Sequence, residues 1–320
     1  MARLLAGVVA RWRSLFGAAP DHGEAGGMGA GGARAARQMS TLLGGGIAPE
    51  RMFELLGQDA ANGDEAVQVA HRVAAGASPV DALARAEGAE WRVLAAAWQL
   101  AVVGGAPLGP ALARISEALA ALDRLHERRG VILAGPKATV AIVAALPPLA
   151  LLLGASLGFD PGPVLGSPMG AVLLVAGALL LACGVGWARV LQRRVETGDH
   201  VAGLEYELAW IVVRGGADPG AAPRLVADAV DAVGAEWVPF TRFLAGEPLR
   251  GTIAAARQAG VPLAAQLLEE AQVARSAAHA RLEREAEQLG IRVLIPLAVC
   301  VLPSFILVGV VPVVLSMLRV

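Results

Sequence analysis

Residues 138–157 read ATVAIVAALPPLALLLGASL, with no charged side chain anywhere in the run. About 20 such residues are what a helix rising about 1.5 Å per residue needs to cross about 30 Å of hydrocarbon. Val140, Ile142, Val143, Leu146, Leu149, Leu151, Leu152, Leu153 and Leu157 each favour insertion by roughly 0.3 to 0.6 kcal/mol near a helix centre, and the prolines and glycine offset part of that. Two further runs share the property: residues 169–188, MGAVLLVAGALLLACGVGWA, and the stretch from Val293 to Leu318. The sequence therefore predicts three transmembrane helices. Alanine and leucine dominate the hydrophobic 56% while aromatic residues make up 4%, a mixture that favours helix over sheet. The expected class is an all-α membrane protein with almost no strand.

Working outward, the arginines give an orientation, because cytoplasmic flanks of spans hold an excess of Lys and Arg. Arg124, Arg128, Arg129 and Lys137 precede the first run, Arg189, Arg193 and Arg194 follow the second, and Arg281, Arg284 and Arg292 precede the third. The loop 158–167 has none, and only Arg319 opposes the pattern. Both large polar segments are thus expected on the cytoplasmic side of a bacterial inner membrane, with the short loop and the C-terminus outside. Trp187 and Phe159 sit near span ends, where aromatic rings prefer the interface. Arg124, Arg128, Arg129, Arg193 and Arg194 read better as topology signals than as a partner-binding patch.

The chain divides accordingly. Residues 1–34 are read as a basic amphipathic helix followed by a Gly/Ala-rich linker, too short in its apolar part to span. Residues 35–134 form a first cytoplasmic bundle of short helices, with breaks at Gly44–Pro49, Asn62–Asp64, Gly76–Pro79, Glu87–Ala89 and Gly104–Pro107. Residues 135–190 hold two spans, 191–291 a second cytoplasmic bundle, and 292–320 the third span.

The two bundles resemble each other, which is the informative feature of the architecture. Gly105-Ala106-Pro107-Leu108 with Leu112 matches Gly260-Val261-Pro262-Leu263 with Leu267, 155 residues later. Nearly the same offset carries Leu146-Pro147 onto Leu302-Pro303. Further upstream, Gly45-Gly46 with Pro49 parallels Gly215-Gly216 with Pro219, and Gly88-Ala89-Glu90-Trp91 recurs as Gly234-Ala235-Glu236-Trp237. In the Gly-x-Pro-Leu motif, Gly is suited to a left-handed helix cap and Pro to the start of the next helix. The expectation is two repeated cytoplasmic helical bundles, each feeding a span outward, with the middle span returning the chain.

These residues carry a resemblance. The Gly-Gly break, the Gly-x-Ser-Pro-x-x-Ala-Leu segment from Gly76 to Leu83, the Gly-x-Pro-Leu joint and the Leu-Pro-containing span resemble the F-domain family of type II secretion. Its members are inner-membrane platform proteins of type II secretion, type IV pili and tight-adherence (Tad/Flp) pili. The resemblance extends from Ala35 to the C-terminus and departs from the pattern at Gly246-Glu247-Pro248-Leu249. It also departs at the N-terminus, where extra spans are expected in many Tad-type members and only a basic helix is read. It implies a scaffold that takes conformational change from a hexameric cytoplasmic ATPase to pilin or pseudopilin subunits. The implied assembly is a homo-oligomer, or a hetero-oligomer with another platform protein.

Catalytic signatures are missing. Gly130–Lys137 brushes a phosphate loop, but Pro136 removes a backbone donor and Ala138 supplies no hydroxyl for magnesium. His22, His71, His126, His200 and His279 lack ligand spacing, and Cys183 and Cys300 lie in apolar runs as small hydrophobes. No enzyme activity, cofactor or metal is expected, and a net charge of −1 gives no footing for nucleic acid. The rival reading is a subunit of a membrane transporter assembled from several chains; carriers place ionisable groups inside the bilayer, and these spans hold none. Pro147, Pro148, Pro296, Pro303 and Pro312 each leave a carbonyl without its helical donor, so the spans are expected to pack on one another or on a second protomer.

Overall fold

The computed structural model describes residues 30–156, 167–196, 202–234, 247–311 and 314. Among them there is helix and no strand. The expected N-terminal amphipathic helix, the outer loop and Pro312 lie outside the described residues.

The first lobe follows its punctuation. Helices α1 (Ala30–Gly44), α2 (Pro49–Gln58), α3 (Asp64–Ala74), α4 (Pro79–Ala84) and α5 (Ala89–Gly104) are separated at the breaks read from Gly, Pro and Asn, with an extra 3-10 turn at Ala60–Asn62. Ser78 shows the local cause: its Oγ accepts from the Asp81 N–H at 3.1 Å while Pro79 opens α4, satisfying a donor that has no partner inside the helix. Helix α1 starts at Ala30, inside the stretch expected to be linker. The reason is burial: Ala33, Ala35, Ala36 and Met39 enter the core, which outweighs the weak helix propensity of Gly31 and Gly32.

The next helix, α6, runs unbroken over Leu108–Ser156, 49 residues. It passes through Gly130, Gly135 and Pro136 without a break in helical structure. Beyond it lie α7 (Pro168–Glu196), α8 (Leu204–Arg214), α9 (Ala222–Ala232), α10 (Glu247–Ala259) and α11 (Leu263–Arg292). The helical path continues through Leu294–Pro296, a π segment Leu297–Val301, Leu302–Phe305 and a second π segment Ile306–Val310. Each π segment lies close after a proline, Pro296 or Pro303. There the Leu302 N–H reaches back five residues to the Leu297 carbonyl, and the Val311 N–H to that of Ile306. Wide turns of this kind absorb a backbone group that proline leaves unpaired.

The chain forms two compact units. One takes the described residues within Pro20–Glu127 and Asp199–His279, so helices of both lobes share a single core. Helices α8 and α9 pack on α5. Trp91, Phe53, Met39, Met52, Leu56, Leu83, Leu94, Leu112, Ile115, Leu204 and Leu208 are all fully enclosed, each stabilising by about 1.5–3 kcal/mol on removal from water. The Phe53 and Trp98 rings meet at 5.4 Å.

The other unit takes the described residues within Arg128–Gly198 and Ala280–Val320. Leu133, Val140, Ala188, Leu289, Val293, Leu297 and Val301 form its interior. Leu133 and Val140 bracket Pro136, and their burial holds α6 helical across it. Outward it presents Val131, Ile142, Met169, Val172, Ile291 and Val299, each more than half exposed. Large apolar side chains covering the outside of a unit fit a hydrocarbon surrounding. Three helical stretches, Leu108–Pro147, Pro168–Gln192 and Leu263–Val310, are long and apolar enough to cross a membrane.

Candidate functional site

Two constellations stand out, one in each unit. In the helical core the glycine joints share one geometry. Gly46, Gly105, Gly216 and Gly260 have φ of 80°, 71°, 88° and 65°, left-handed values that cost an L side chain strain. Each is followed by a residue whose N–H reaches back five positions: Ile47 to the Leu42 carbonyl, Ala106 to Ala101, Ala217 to Val212 and Val261 to Ala256. That closure ends α1, α5, α8 and α10 in the same way. Pro107 and Pro262 then occupy the last position before the following helix, their carbonyls accepting from Ala111 and from Ala265 and Gln266. Leu108 and Leu263 lie half-buried against the core, while Leu112 and Leu267 are fully enclosed.

Gly45 and Gly215 are different. Gly45 meets only carbonyls of its own helix, whereas Gly215 has an ordinary φ of −76° and lies against the backbone of Gly104. The structure thus brings Gly104-Gly105 of the first lobe onto Gly215-Gly216 of the second. At the other end of α5, Arg92 Nη1 donates to the Gly234 carbonyl at 2.9 Å. Residues 235–237 of the second Gly-Ala-Glu-Trp motif and Gly246 lie outside the described residues.

Sequence reading missed the centre of this core. Glu207 on α8 is fully buried, and its carboxylate accepts from Arg114 of α6 and Arg275 of α11, each with a contact at 3.1 Å. The signal was available: Leu204, Leu208 and Ile211 mark the buried face of α8, and Glu207 shares it at helical spacing. Glu90 lies against Gly32 of α1. Burial pushes its carboxyl above the ordinary 4.5, a backbone hydrogen bond opposes that, and the Asp123 and Glu65 carboxylates add to it.

In the span unit, Gly177 and Gly184 of α7 face the third span. A β-carbon on Gly177 would stand 2.2 Å from Val308 Cγ2, and one on Gly184 would stand 2.8 Å from Cys300 Cβ. Ser304 Oγ, fully buried, donates to the Gly177 carbonyl at 2.7 Å. Gly309 approaches Ala150 of the first span. The spans therefore pack on one another. Pro147 and Pro296 are buried and Pro303 is half-buried. Pro148, Arg129, Arg193 and Arg194 lie in helices, with their side chains outside the description. Arg124 is exposed, and Arg128 pairs loosely with Glu283 at 3.6 Å. Among the described residues no group of three or more His, Cys, Asp or Glu is arranged to hold a metal ion.

Residues 35–154 match the family model described as Type II secretion system (T2SS), protein F. This segment is a type II secretion F domain. It begins in α1, takes in the rest of the first lobe and ends in the apolar half of α6. The F-domain match is narrower than the resemblance read along the sequence, which extended through the second lobe. No curated protein and no solved structure matches the chain. F-domain proteins are inner-membrane platform components of secretion and pilus systems, structural and not enzymatic.

Proposed function

We propose that the chain is the inner-membrane platform of a pilus-assembly or type II-like secretion machine, of either the general or the Tad/Flp type. In this reading lobes 35–134 and 191–291 are repeats that lie on the cytoplasmic side. The short loop and the C-terminus face outward. The lobes receive conformational change from a secretion-type hexameric ATPase, and the spans pass it to pilin or pseudopilin subunits leaving the bilayer. The working unit is an oligomer, with itself or with a second platform protein.

The observation that carries the reading is the F-domain match, which runs into an apolar helix without interruption. Two features support it. The spans pack through glycine and a buried serine and not around ionisable groups, which suits a scaffold better than a carrier. The arginine-rich flanks agree with cytoplasmic lobes.

The test is deletion of the gene in its own host, with complementation by the tagged protein. The expected outcome is loss of the surface appendage or of secreted substrate, restored on complementation, and co-purification of the ATPase with the detergent-solubilised platform. An unchanged appendage count together with unchanged secretion in the deletion strain refutes the proposal.

A further inference from the structure

Glu207 has no exposed surface, yet it bears a charge whose burial needs compensation. Both carboxylate oxygens are occupied. Arg114 Nη2 lies 3.1 Å from Oε1 and 3.3 Å from Oε2, its Nε lies 3.4 Å from Oε2, and Nη1 and Nη2 of Arg275 both reach Oε1 at 3.1 Å. The arginines are themselves mostly enclosed, at 23% and 12% exposure. Arg114 Nη1 is taken by Glu117. Each member of the triad comes from a different helix: α6, α8 and α11.

Stability alone does not explain such a group, because well-packed apolar side chains replace a buried ion triad with no loss or with a gain. Geometry does. An apolar contact tolerates sliding, whereas a forked guanidinium meets a carboxylate in few poses. A slip of α6 or α11 by one turn, about 5.4 Å, moves its guanidinium beyond hydrogen-bond reach and leaves the buried Glu207 charge with one partner of two. The helices fixed in this way are the ones that run on into the first and third candidate spans.

We propose that Glu207 is a positioning residue that sets the register of α6 against α11, so that the roots of the first and third spans move together and not independently. Its importance for assembly rests on the platform reading; the register itself does not.

The test uses the full-length protein in detergent, with Cys183 and Cys300 replaced by Ala and nitroxides at Glu127→Cys on α6 and Ala277→Cys on α11. Electron–electron double resonance on the parent is expected to give one narrow distance distribution. Glu207→Leu is expected to give a distribution about twice as wide, or one displaced by about 5 Å, one helical turn. Because Glu207→Leu removes the partner of Arg275 and leaves Arg114 with Glu117 alone, the triple variant Arg114→Met, Glu207→Leu, Arg275→Met is measured beside it. It carries no stranded charge and is expected to melt no lower than the parent while showing the same broadening.

A parent-like narrow distribution in either folded variant overturns the proposal. So does failure of both to yield a helical, monodisperse protein, since the triad would then be needed for folding and not for register. Appendage counts in cells carrying the triple variant read the platform role separately. Broadening with an unchanged count upholds the register pin and counts against the platform reading.

Discussion

Gly215 lies so close to Gly104 that a β-carbon on it would stand 2.1 Å from the Gly104 carbonyl oxygen and 2.6 Å from the carbonyl carbon. Both atoms are backbone, so neither has a rotamer to retreat into. Gly215→Ala is expected to destabilise the protein by about 1–3 kcal/mol, the cost of overpacking a close contact. Gly104→Ala, whose β-carbon would meet nothing nearer than the Val212 oxygen at 4.0 Å, is expected to be neutral or stabilising by up to about 1 kcal/mol. Thermal melts in detergent distinguish the two; equal losses contradict the asymmetry.

Ser304→Ala removes the hydroxyl that binds the Gly177 carbonyl inside the span unit. Such interhelical hydrogen bonds are worth roughly 0.6 to 1.7 kcal/mol within membranes, and a loss in that range is expected. Gly177→Val is expected to cost more, because its β-carbon would already collide with Val308, whereas Gly186→Ala meets open space and serves as the control. Unfolding in mixed micelles gives the ranking. A Gly186 variant as damaged as the Gly177 variant contradicts the packing described.

The Glu90 carboxyl predicts a pH dependence. Its folded value is raised above 4.5, so the folded state holds the proton more tightly than the unfolded chain. The favourable contribution of protonation is complete below that ordinary value and is lost as pH rises through the elevated one. Glu90→Gln is therefore expected to raise the melting temperature at pH 7, with the gain shrinking to nothing as pH falls to 4.5. A gain that persists at low pH would assign the effect to packing on Gly32.

Gly130 and Gly135 lie inside α6, and a β-carbon at either meets nothing within 4 Å. Each Gly→Ala change is expected to stabilise by about 0.5–1 kcal/mol through reduced backbone freedom. A loss of stability at either site would indicate a bend there in place of a straight helix.

Much of the fold is readable in residue order because the punctuation is local. Ser78-Pro79, Gly105-Ala-Pro107 and Gly260-Val-Pro262 bring their own caps and their own helix starts, so these helix ends need no tertiary information. The run 138–157 declares its length and lack of charge directly. What local pattern does not carry is pairing. Nothing adjacent to Gly215 shows that it meets Gly104, because that depends on two lobes sharing one core. Glu207 is visible as a charge on an apolar face, but Arg114 and Arg275 lie 93 and 68 residues away. Pro136 carries a local cost that favours a break, and the burial of Leu133 and Val140 on either side of it, against residues as far along the chain as Leu289 and Val293, outweighs that cost.

The first and third spans, though they follow matching glycine joints, differ in their hydrogen-bond ladders. Helix α6 keeps α-helical structure over 49 residues. The third path contains two wide turns, Leu297–Val301 and Ile306–Val310, where the ladder of hydrogen bonds is dislocated. Shifting an acceptor by one residue at either wide turn lets that path change pitch without stranding a donor, a freedom that a regular α-helical ladder lacks.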